Sequence, residues 1–111
     1  MEYIELDTAF STADADDPAI KKDGPDLFVE FTDWREERVV VRFIDADMFC
    51  WQQIEDGFSE APDRVYEVKG SVWVKQVQPY EPEMKHYKVC FNASYYALDI
   101  LAVSYELGQS I

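Results

Sequence analysis

The chain has 111 residues, 48% hydrophobic and 15% aromatic, which suits one domain, 1–111, with a core that needs no staples. Twenty-three Asp and Glu stand against ten Lys and Arg, a net charge of −13. Such a field repels nucleic acid and anionic membranes and attracts basic partners.

The start, "MEYIELD", is acidic where a secretory leader would be basic, and no apolar run approaches the ~20 residues of a membrane span. A cytoplasmic setting is expected, in which Cys50 and Cys90 stay reduced. "YIEL" (3–6) reads as a short strand. The polar stretch that follows contains a helix pattern: Asp17 as cap, Pro18 in the first turn, Gly24 just past the end and Pro25 after it. "LFVEF" (27–31) alternates, with Leu27, Val29 and Phe31 on one face. "VVVRFI" (39–44) is β-branched, and the two segments are expected to pair as a hairpin.

"RVYEVKGSVWVKQV" (64–77) alternates, with Tyr66, Val68, Val72 and Val74 on one parity, and Gly70 interrupts it as a bulge or bend. "KHYKVCFNA" (85–93) points Tyr87, Val89 and Phe91 inward and His86, Lys88, Cys90 and Asn92 outward. "ALDILAVSYELG" (97–108) fits a helix at Leu98, Leu101, Ala102 and Tyr105. Ile100, Val103 and the preceding turn-like "NASYY" favour instead a strand paired back on 85–93, and the strand is preferred. The sum predicts a mainly β, antiparallel fold, curled or packed as a sandwich or partly open barrel, with at most one or two short helices. Val29, Phe31, Val41, Phe43, Val72, Val74, Val89 and Phe91 are the expected core.

Charge is unevenly spread. Residues 1–33 carry net −8, and residues 45–63 carry six acids and no base. Neither acidic stretch completes a calcium loop: counting from Asp14, Pro18 and Ala19 fall where an oxygen ligand and a glycine are needed, and counting from Asp45, Phe49 and Cys50 do. A single histidine and two cysteines without metal-ligand spacing give no transition-metal motif, and no glycine-rich phosphate loop exists. No cofactor, metal or catalytic constellation is expected. The segment "FIDADMFCWQQIEDGF" and its continuation instead offer acids beside aromatics. Asp45, Asp47, Glu55, Asp56 and Glu60, with Trp51 and Phe58 as anchors, are the candidate partner-binding residues.

The stretches "FTDWREERVVVRFIDADMFCW" and "HYKVCFNASYYALDILA" resemble small acidic bacterial immunity proteins of polymorphic and contact-dependent toxin systems. That resemblance implies a cytoplasmic inhibitor that binds a toxin domain, often a nuclease, and blocks its active site or groove; it carries over no residue roles. A small-molecule-binding β module and, further behind, a small enzyme using carboxylates are the alternatives.

Overall fold

The computed structural model describes residues 1–108. In chain order it has strands β1 (Glu2–Glu5), β2 (Ala19–Asp23), β3 (Asp26–Thr32), β4 (Arg38–Ile44), β5 (Met48–Gln53) and β6 (Val65–Lys69). The helix α1 (Val72–Val77) follows, then β7 (Lys85–Phe91), β8 (Tyr96–Ala102) and β9 (Ser104–Leu107). Two antiparallel sheets result, β1-β6-β7-β8-β5 and β2-β3-β4-β9. The mainly β fold expected from the sequence is therefore the fold observed, two sheets packed face to face.

Between the sheets lies the main core. Leu27, Val29 and Phe31 of β3 and Val39, Val41 and Phe43 of β4 meet Tyr87, Val89 and Phe91 of β7 and Leu98, Ile100 and Ala102 of β8. Phe31 sets its edge on Phe91 with ring centroids 5.2 Å apart, a geometry the ring quadrupoles favour. The loop between β1 and β2 contributes Phe10 and Ala15 to the same core. It is tied down by a reciprocal pair in which the Asp14 N–H donates to Asn92 Oδ1 and Asn92 Nδ2 donates to Asp14 Oδ1.

Two neighbouring strands change sheets together. β4 pairs with β9 in one sheet and its continuation β5 pairs with β8 in the other. The bend falls at residues 45–47 and at Val103, where Val103 N–H donates to the Ile44 carbonyl and Asp47 N–H to the Leu101 carbonyl, both at 2.9 Å. Asp45 sits there at φ 52°, a left-handed conformation that Asp tolerates better than most residues. Asp26 braces it: Oδ1 accepts the Asp45 N–H at 3.0 Å and Oδ2 accepts Arg42 Nε at 2.7 Å. Burial pushes against the charged form of Asp26, but the Asp45 N–H, with help from Arg42, holds its carboxyl below the usual range.

Three expectations are overturned. The helix pattern near Asp17 is a strand, β2, paired antiparallel with β3; Gly24 at φ 59° and Pro25 turn the hairpin, as the first and second central residues of a II′-like turn do. The strand expected across 71–77 is the helix α1. Gly70 at φ 74° ends β6, and Ser71 Oγ then accepts the Val74 N–H as an N-cap. Alternating valines mimic a strand here, but Val74 and Val77 also stand three apart, and they pack with Met84 and Leu101. In consequence Val72, expected in the core, is 67% exposed.

The outward face of β7 is the third correction. His86, Lys88 and Cys90 do point away from the main core, but a second layer covers them. At one end α1 buries Leu101. At the other, the loop after β5 brings Ile54 and Phe58 down on Tyr66, Cys90, Ala97 and Tyr3. Segment 97–107, preferred as a strand, is two strands, β8 and β9, divided by the bend at Val103.

Candidate functional site

The middle of the acidic and aromatic segment 43–58 forms β5, an edge of the five-stranded sheet. β8 is its only strand neighbour among the described residues. Ile54 N–H donates to the Tyr95 carbonyl at 2.9 Å, which marks the pair 54/95 as hydrogen bonded. Antiparallel alternation then turns Gln52, Cys50 and Met48 toward β8 and leaves the N–H and C=O of Phe49, Trp51 and Gln53 facing away from it. Met48 and Phe49 are each 45% exposed. Trp51 is half-buried, stacked on Tyr96 at 5.3 Å and edge-on to Phe91.

The acids are divided between the two ends of this strand. Asp45 and Asp47 are exposed at the bend before it, near Glu81 and Glu83. A hydrogen bond shared with Asp47, reinforced by the surrounding negative charge, raises the Glu81 carboxyl above its usual range. Glu55, Asp56 and Glu60 are exposed beyond the other end. There Phe58 N–H closes on the Glu55 carbonyl at 3.2 Å, with Gly57 at φ 80° in the position where a type II turn demands a glycine. Roughly 17 Å of strand separates the two groups, so they flank an edge rather than share one patch. Phe58 is half-buried against Tyr3 and Tyr66. Like Trp51, it is engaged in packing.

Sequence reasoning missed a cleft of about 410 Å³ on the outer face of the same sheet, between α1 and the loop after β5, mostly apolar in its lining but with charged groups at its floor. Its floor is a cross-strand pair, Lys88 of β7 opposite Asp99 of β8. Lys88 Nζ lies 3.4 Å from Asp99 Oδ2 and 3.4 Å from Glu55 Oε2. Asp99 also accepts Gln52 Nε2 at 3.2 Å and meets His86 Nε2 at 2.8 Å, while His86 Nδ1 lies 2.9 Å from Ser71 Oγ. Trp73 stacks on the His86 ring at 5.0 Å.

Burial opposes the charge on Asp99, yet the His86 bond and the Lys88 charge outweigh it and hold the carboxyl below the usual range. Lys88 is the mirror case: burial lowers it, and Asp99 and Glu55 more than restore it, so it stays charged. Cys90 alongside has its thiol pushed up to about 12, mainly by burial, and is inert at neutral pH.

The order Ser71, His86, Asp99 has the connectivity of a nucleophile, base and orienting acid. Ser71, however, is 5% exposed, and its oxygen also accepts the Val74 N–H. Its hydroxyl is engaged on two sides, and the trio clamps α1 to the sheet. Among the described residues no group of three or more His, Cys, Asp and Glu side chains is arranged to hold a metal ion. No helix among them is long and apolar enough to cross a membrane. Comparison with family models, curated proteins and solved structures finds no match to this chain.

Proposed function

We propose that this protein is an acidic, protein-binding inhibitor of the immunity type, which neutralises a basic partner such as a toxin nuclease domain by covering its active site or groove. One observation carries the reading. The chain spends most of its cations internally: Lys21, Arg35, Arg38, Arg42, Arg64 and Lys88 all lie in ion pairs with its own carboxylates. By contrast Asp45, Asp47, Asp56 and Glu60 have no ion-pair partner among the described residues. The unspent charge therefore sits on exposed carboxylates, where it raises the encounter rate with a basic protein.

The test is a charge reversal. Asp56 and Glu60 changed to Lys take the formal charge from −13 to −9 and leave the Glu55–Lys88 pair intact. The partner is first isolated by co-purification, and association is then followed by surface plasmon resonance at low and high salt. The variant should associate more slowly at low salt and lose most of the salt dependence, with dissociation changed less. A variant that associates as fast as wild type at low salt would exclude this end of β5, and the net −8 segment 1–33 would become the face to test.

A further inference from the structure

Four strands form the edges of the two sheets, and they are not equally protected. β2 carries Lys21 and Lys22. β1 and β9 have four residues each and contain Glu2 and Glu5 or Glu106. Lysines, charges and shortness are the usual defences of an open edge. β5 is six residues, "MFCWQQ", without a charge, proline or glycine. Phe49, Trp51 and Gln53 turn three donors and three acceptors outward along it. Among the described residues its only guards are the carboxylates beyond its two ends.

Resting on the protein-binding reading above, we propose that β5 is the docking edge, and that the partner adds to it a strand of its own bearing Lys or Arg near both ends. Main-chain bonds to Phe49, Trp51 and Gln53 would hold that strand, and the exposed faces of Met48 and Phe49 would bury its apolar residues. Asp45 and Asp47 would meet the basic residues at one end, Asp56 and Glu60 those at the other. The same charges argue against a second copy of this chain. Antiparallel pairing of β5 with itself sets Asp47 near Asp56 of the copy, and parallel pairing sets like ends together, so both registers bring carboxylates face to face. A basic strand turns that repulsion into attraction.

The probe is a synthetic peptide of alternating Thr and Val, matched to β5 in length, with paired arginines at each end. One control keeps the arginines and interrupts the core with prolines; the other keeps the core and replaces the arginines by glutamates. Amide resonances of the full chain are followed during titration, and amide exchange is measured at saturation. The expected result is a saturable shift along β5, slowed exchange at Phe49, Trp51 and Gln53, and at least about tenfold weaker binding of both controls.

Equal binding of the proline-interrupted peptide would overturn strand addition and leave the attraction to a basic partner standing. Equal binding of the glutamate-flanked peptide would overturn the basic occupant and, with it, the charge reading. Shifts elsewhere on the molecule, or none, would overturn the docking edge. Gln53→Pro removes one outward donor while sparing the bonds to β8, and should weaken the arginine peptide alone. A wild-type dimer in sedimentation that Gln53→Pro dissolves would assign the edge to self-association instead.

Discussion

Removing Asp99 should unsettle the molecule more than its position on an outer sheet face suggests. The side chains of Asp99 and Lys88 are 7% and 5% exposed, and Asp99 accepts from His86, Lys88 and Gln52 at once. In Asp99→Ala the ammonium of Lys88 keeps one carboxylate among the described residues, Glu55, which is 51% exposed and reached at 3.4 Å, and the face of the Phe58 ring at 5.5 Å. Breaking a buried pair by deleting one partner costs about 3–5 kcal/mol, a large part of the ~5–15 kcal/mol by which a domain is stable. With a urea dependence near ~2 kcal/mol/M, the midpoint should fall by about 2 M. Tryptophan fluorescence against urea reads this directly.

The double variant Lys88→Met with Asp99→Leu should recover much of the loss, because an apolar pair leaves no charge stranded. Acidity gives a second readout. The folded carboxyl is depressed, so its contribution is fully present above the unfolded value of about 3.9 and is lost as pH falls through the lower folded value. Asp99→Asn should therefore flatten the acid limb of the stability profile below about pH 4. A loss under about 1 kcal/mol for Asp99→Ala, with an unchanged acid limb, would refute the claim that this pair is buried and mutually dependent.

Other outcomes follow from the same packing. Phe91, fully buried against Phe31 and Trp51, should cost about 3–5 kcal/mol as Phe91→Ala, and a loss under about 1 kcal/mol in a denaturant titration would show the inward parity of β7 to be wrong. Gly57→Ala puts a side chain at φ 80° and should cost about 1 kcal/mol, read as a lower melting temperature; no change would mean that the turn at Glu55–Phe58 is not formed. Under native conditions iodoacetamide should leave Cys90 unmodified while half-buried Cys50 reacts, and mass spectrometry showing equal rates would contradict the cover over β7.

The sequence was most legible where one force dominated. β3, β4 and β7 each send a run of large apolar residues into one core at period two, and their pattern survives without tertiary knowledge. α1 misled because Val72 and Val74 extend the parity of Tyr66 and Val68 across Gly70. The glycine followed by Ser71, a turn residue and then a capping residue, was the sign of the change. β5 lacked any strand pattern because an edge strand is wetted on one side, so Gln52, Gln53 and Met48 need not alternate with apolar partners.

The cleft was hidden for a different reason: its charges are neighbours only through strand register. Counting back from the loop Asn92–Tyr95 would have set Lys88 opposite Asp99. Nothing local revealed that α1 and the loop after β5 would roof that pair. The acids of 45–63 were visible at once, but the strand that parts them into two groups was not.

A basic protein held along β5, between its acidic ends, would leave a footprint on the amides of that strand. Hydrogen–deuterium exchange on the complex with the co-purified partner reads that footprint, since edge amides without a partner among the described residues exchange readily. Slowed exchange concentrated on Phe49, Trp51 and Gln53, with flanking protection at residues 45–47 and 54–60, is the predicted result. Protection confined to residues 1–33, or to the outer face of β2, β3 and β4, with β5 unchanged, would contradict it.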